Sequence, residues 1–144
     1  MISSDIHSVV ICDDVRREQN GKDLLIGVYS GDILVPAFPF VLPLSMWMEY
    51  APPKPGPNDI FIRLHYGQQP PSIVKATLEV MDSSTVGVPL SGFVIRGDKP
   101  DDIVVEYSAD GTTYTVIKRK PVRQAPPGLT ALTSVLPAPP SHSL

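Results

Sequence analysis

Apolar residues recur along this chain mainly at every second position, the repeat of a strand with one face turned to a core. In Asp59–Tyr66, Ile60, Ile62, Leu64 and Tyr66 alternate with Phe61, Arg63 and His65, so the first set is expected inward and Arg63 and His65 outward. Ser72–Met81 repeats the pattern, with Val74, Ala76, Leu78 and Val80 on one side and Lys75, Thr77 and Glu79 on the other. Ile103, Val105 and Tyr107 alternate with Val104, Glu106 and Ser108, and Thr112–Lys118 supplies a fourth alternating run. Further strands are expected at His7–Cys12, Leu24–Tyr29, Ile33–Val35, Val41–Tyr50 and Val88–Ile95.

Turn residues punctuate these runs. Asp110-Gly111 lies between two alternating strands and carries the residues of a type I′ hairpin turn. Asn20-Gly21 gives the same signal between His7–Cys12 and Leu24–Tyr29, where Asp13–Glu18 lengthen the connection or extend its arms as a ribbon. No helical repeat holds up in the body. The expected fold is therefore all-β: a single antiparallel β-sandwich of eight or nine short strands over about Ile6–Pro121, followed by a proline-rich C-terminal arm. The division is 1–121 for the sandwich and 122–144 for the arm.

Composition sharpens this. Of 144 residues 42% are hydrophobic and 19% charged, which fits a chain able to bury a core. The unusual count is 17 prolines, gathered at Pro36–Pro57 and Pro121–Pro140. Ala51–Asn58 holds four of them and reads as a stiff connection or as a polyproline II surface, with Lys54 and Tyr50 as handles. The arm carries Leu129, Leu132 and Leu136 at spacings of three and four, enough for one amphipathic turn, on a segment reaching on the order of 60 Å. Those leucines are expected to anchor it on this domain or on a neighbouring subunit.

Net charge is −3, which gives no long-range field for nucleic acid or an anionic membrane. Lys118, Arg119, Lys120 and Arg123 are expected as a solvated strand end. One cysteine, Cys12, excludes an internal disulfide and points to a reducing compartment. No stretch spans a bilayer and no signal peptide is recognisable, so a cytoplasmic chain, or one carried in a phage particle, is expected.

Candidate chemistry is sparse. Cys12 lacks a second thiol or a histidine at metal-ligand spacing, and His7, five residues away, falls on the opposite strand face if the strand is regular. There is no Gly-x-Ser-x-Gly and no phosphate-cradling glycine loop. Neither a cofactor nor a metal is expected. The dense polar stretch Cys12–Glu18 reads as a charged network at a strand end, or as a contact surface led by Arg16 and Arg17. Trp47, on one strand face with Ser45 and Glu49 while Met46 and Met48 take the other, is either a core residue or a half-exposed contact.

The run Val10–Glu18 with Asn20-Gly21-Lys22, Leu25–Tyr29 and Gly31-Asp32-Ile33 resembles an uncharacterised family of short bacterial and phage β-rich proteins that open with a CDDxRxExxGK…LxGxY signature. The resemblance covers about the first 35 residues, and the proline-rich arm departs from it. It implies a bacterial or phage origin and a β-sandwich, and carries no catalytic residue across. The expected function is a non-enzymatic structural or binding module in a multiprotein assembly. Its partners are proteins, copies of itself among them, met through Leu129, Leu132, Leu136, Trp47, Tyr50, Arg16 and Arg17. The alternatives are a carbohydrate-binding sandwich using Trp47, Glu49 and Tyr50, and a hydrolase built around a perturbed acid or His65.

Overall fold

A computed structural model describes residues 5–81 and 84–127. Among them run the strands β1 (Ile6–Arg17), β2 (Asp23–Val28), β3 (Ile33–Val35), β4 (Phe40–Tyr50), β5 (Gly56–Tyr66), β6 (Ser72–Val80), β7 (Val86–Gly97), β8 (Asp101–Ser108) and β9 (Thr115–Gln124). They form two sheets, ordered β2-β1-β4-β7 and β3-β9-β8-β5-β6. The alternation does what it predicts: Ile60, Ile62, Leu64 and Tyr66 of β5 and Ile103, Val105 and Tyr107 of β8 turn inward. They meet Ile6, Val9 and Ile11 of β1, Met46, Met48 and Tyr50 of β4, and Phe93 and Ile95 of β7. Two one-faced sheets closing over one layer of side chains make a sandwich.

The pairing is antiparallel with one exception, since β3 runs parallel to β9. β3 enters from the other sheet and β9 from β8, so no hairpin dictates their relative direction. The body also continues beyond the expected boundary at Pro121. β9 carries on to Gln124, Val122 is 1% exposed, and the Ala125 amide donates to the Val35 carbonyl at 2.8 Å. Proline is tolerated inside this strand because β3 engages β9 only from Val122 onward. The same rule admits Pro57 into β5, since β8 joins that strand only from Phe61. The stiff connection expected over Ala51–Asn58 is accordingly shorter, and Asn58 closes it by donating to the carbonyls of Lys54 (2.8 Å) and Gly56 (3.1 Å).

Three local expectations need correcting. Asp110-Gly111 does not form a tight two-residue hairpin, because β9 pairs with β8 only from Thr115 opposite Tyr107. The Asp110 carboxylate instead accepts from the amides of Thr112 (2.8 Å) and Thr113 (3.0 Å), and Ser108 Oγ accepts from Gly111 N (2.8 Å). Side-chain acceptors outbid the ladder here and widen the loop. Lys120, expected in a solvated cluster, is 7% exposed: it lies opposite the inward-facing Ile103. Burial pulls its ammonium pKa down, with Lys118 adding to the shift and Asp32 opposing it. Tyr50, expected as a surface handle, is 1% exposed. It shares its strand parity with Met46 and Met48, so it enters the core beside Tyr107, with ring centroids 6.4 Å apart.

Candidate functional site

β1 leaves the sandwich part-way along its length. It pairs with β4 from Ile6 to Cys12, and from there on only with β2, through Asp14 opposite Ile26, Arg16 opposite Leu24 and Arg17 opposite Asp23. The result is a two-stranded ribbon closed by the Glu18–Lys22 turn. The Glu18 amide donates to Lys22 O at 2.7 Å and Gly21 takes φ +86°, a conformation glycine reaches without a Cβ penalty. A strand alternates its side chains, so the ribbon has two unlike faces.

One face is latched onto the outer side of the first sheet. Arg17 grips Asp23 with a fork, Nε to Oδ1 at 2.7 Å and Nη2 to Oδ2 at 3.0 Å, and Nη2 also reaches Gly87 O at 3.4 Å. The Trp47 indole donates to Asp23 Oδ2 at 3.0 Å. Gly87 leaves room for them, because a Cβ there would stand 2.8 Å from Trp47 Nε1 and 3.1 Å from Asp23 Oδ2 and force the side chains to shift. Arg17, Asp23, Leu25, Trp47 and Gly87 thereby line an open hollow of about 700 Å³. The Arg17 fork holds the Asp23 carboxyl below its ordinary value, against the opposing pull of its own burial.

That shift sets a testable sign. A carboxyl whose folded pKa is depressed stabilises the fold above its ordinary value of 3.8, and the contribution drains away as pH falls through the lowered value. Trp47 emission is therefore expected to move on acidification below about pH 4, and Asp23→Asn to reproduce that emission at neutral pH at a cost of about 1 kcal/mol, kept small by the half-exposed Arg17. Identical emission from the two proteins at neutral pH would show that no latch exists.

The other face looks outward. Leu24, Ile26 and Val28 are 48%, 38% and 47% exposed and lie on alternate positions of β2, an edge strand of its sheet. Beside them on β1 sits the Arg16–Asp14 pair, Nε to Oδ2 at 3.1 Å. The structure thus separates the two arginines singled out from the sequence: Arg16 borders an exposed apolar stripe, while Arg17 is consumed in the latch. At the ribbon's root the Tyr29 hydroxyl donates to Asp13 Oδ1 at 2.7 Å, and the same carboxylate covers Gly27, whose φ is +68°.

From the sequence Leu24–Tyr29 is expected as an ordinary strand, and its exposed stripe emerges only in the fold. A signal was present in the apolar run Leu24-Leu25-Ile26, which places apolar groups on both faces of one strand. Leu129, Leu132 and Leu136 lie outside the described residues.

The remaining candidates fall elsewhere. Cys12 is fully buried where the ribbon leaves β4; its thiol donates to Asp14 O at 3.4 Å, and burial pushes it above its ordinary value, the opposite of a reactive thiolate. His7 is exposed, on a strand made irregular by a shift in register between Ile6 and Ser8. Trp47 is half-buried with its N–H committed to Asp23, and Tyr50 is in the core, so the three residues of the sugar-binding alternative do not share a surface. On the outer face of the second sheet Glu106 accepts from Arg63 Nε at 2.8 Å and stands 3.5 Å from His65 Nε2, while Arg63 stacks 3.8 Å over Tyr114. Arg63 holds the Glu106 carboxyl low, which suits a structural ion pair and weakens it as a proton donor. Among the described residues no serine, threonine or cysteine side chain bonds to this pair, and no group of three His, Cys, Asp or Glu side chains gathers as a metal site. Nor is any described helix long and apolar enough to cross a membrane. In comparisons with protein-family models, curated proteins and solved structures, the chain matches none.

Proposed function

We propose that this protein is a non-enzymatic structural or binding module, a component of a bacterial or phage multiprotein assembly, whose subunits meet through the outer face of the β1–β2 ribbon and through the C-terminal segment. The observation that carries the reading is the row Leu24, Ile26 and Val28, exposed on an edge strand and bordered by a single ion pair. Edge strands that stay solitary are ordinarily guarded by lysine, proline or an inward charge; β2 has one inward charge, Asp23 at its first position, and none over Leu24–Val28. The ribbon's latch supports the same reading, since Arg17, Asp23 and Trp47 hold this face in a defined place at the cost of their own availability. The bacterial or phage setting rests on the resemblance of the first 35 residues.

Magnitudes say what such a contact needs. Covering the exposed half of three aliphatic side chains supplies about 1 kcal/mol each. Micromolar association requires about 8 kcal/mol after the ordering costs are met, so the partner must add apolar area of its own. Light scattering on the full chain is expected to give a mass above the 15.6 kDa of one copy, and Ile26→Asp to return it toward one copy with an unchanged melting temperature. A single-copy mass at every concentration up to the solubility limit would overturn the assembly.

A further inference from the structure

We infer that the partner on the Leu24–Ile26–Val28 face is the C-terminal segment, residues 128–144, of a second copy of this chain. The inference rests on the module reading above and names its receptor and its ligand. On the receptor side, β2 is an edge strand, so beside the apolar row it offers main-chain N–H and C=O groups along its free flank. The other two long edge strands are less suited. β6 displays Lys75 and Glu79 on its exposed positions, and β7 interrupts its edge with Pro89, whereas β2 has a left-handed glycine of its own, Gly27, but no proline.

On the ligand side, residues 128–144 contain no Asp, Glu, Lys or Arg, and carry Leu129, Leu132, Val135 and Leu136. A segment without acidic, lysine or arginine side chains, with these aliphatic groups gathered in 129–136, can cover an apolar row without stranding such a charge, and it adds the apolar area that the row alone lacks. Its prolines shorten the list of conformations it must give up on docking.

The heading of the chain where it leaves the sandwich favours a neighbour's stripe over its own. β2 ends at Val28 and passes through Tyr29–Asp32 into β3, and β9 runs parallel to β3 with Ile33 opposite Val122 and Val35 opposite Gln124. At Ala125 the chain is therefore travelling away from the β2 end of that connection, held on course by the bond from its amide to Val35 O. Such a segment reaches roughly 50 Å when extended, which brings a neighbour's stripe within range.

Photo-cross-linking tests this on the full chain. Leu132 is replaced by p-benzoylphenylalanine, light and heavy nitrogen-labelled samples are mixed, and cross-linked peptides are identified by mass spectrometry. Cross-links are expected from residue 132 to the peptide holding 23–28, with light–heavy hybrids showing that two copies are joined. Ile26→Asp is expected to cut their yield at least tenfold, and Leu129→Ser/Leu132→Ser/Leu136→Ser to weaken self-association as much as Ile26→Asp, with no further loss when all four are combined. Unhybridised cross-links, or hybrids mapping to another surface such as Val41 and Val94, overturn the inference while an oligomeric mass leaves the module reading standing. A single-copy mass for the unsubstituted chain removes both.

Discussion

Tyr50→Ala is expected to remove about 3–5 kcal/mol of unfolding free energy, the cost of emptying a large aromatic site in a packed core. Tyr50 is 1% exposed at the end of β4 and belongs to the same buried cluster as Met48 and Ile60. Its ring lies 6.4 Å from that of Tyr107, whose hydroxyl donates to Asp5 Oδ2 at 3.0 Å. The Ala51 amide donates to Asp5 O at 2.7 Å and ties the same corner from the main chain. Tyr50→Phe keeps the ring and gives up one hydroxyl, so its cost is expected near 1 kcal/mol. Urea unfolding separates these outcomes. A surface contact residue would show the reverse: near-normal stability for Tyr50→Ala, with a loss confined to self-association.

Gly97→Ala is expected to cost about 2–3 kcal/mol, a large penalty for one methyl group. Gly97 ends β7 against the rings of Tyr66 and Phe40, and a Cβ there would stand 2.7 Å from Phe40 Cε1 and closer still to Tyr66. Those rings meet edge to face at 5.5 Å, and the Tyr66 hydroxyl donates to Lys99 O at 2.6 Å, so neither can swing clear without breaking a contact. Gly21→Ala makes the control. Nothing stands within 4 Å of its Cβ position, so only the left-handed backbone resists, at about 1 kcal/mol. Equal melting temperatures for the two variants would show that the aromatic corner accommodates the methyl group.

Strand alternation is legible in the sequence where the two faces differ in chemistry and is hidden where they do not. The alternation in β5 and β8 was legible because inward and outward residues differ in chemistry, Ile60, Ile62 and Leu64 against Arg63 and His65. Tyr50 obeys the same rule: the parity of Met46 and Met48 carries two residues on to Tyr50, although it adjoins a proline-rich surface connection. Lys120 obeys its strand position against its chemistry, which composition cannot foresee. Asp110-Gly111 carries hairpin residues, yet Ser108 and Asp110 offer the amides acceptors that a two-residue turn does not need.

The candidate surface was legible only in part. Arg16 and Arg17 stand out as a polar cluster, but their separation onto opposite faces requires knowing that β1 parts from β4 after Cys12. Leu24, Ile26 and Val28 have the pattern of an ordinary core-facing row, and whether such a row is covered depends on which strand lies beyond it. Trp47 reads from the sequence as a core residue before a contact, and only the fold shows Asp23, twenty-four residues earlier in the chain, holding its N–H.

What the sequence determined by itself is local: strands of period two, the glycine and asparagine of the Glu18–Lys22 turn, and the inward rows that make two sheets close on each other. These follow from side-chain alternation and backbone sterics, which act over a few residues. What only the tertiary structure decided is how strands distant in the chain become neighbours. That includes β1 beside β4, β3 parallel to β9, the ribbon folded over Trp47 and Gly87, and β2 left at an edge with its apolar row uncovered. The physical reason is that pairing and burial are set by the best mutual packing of whole faces, a quantity that no window of the sequence contains.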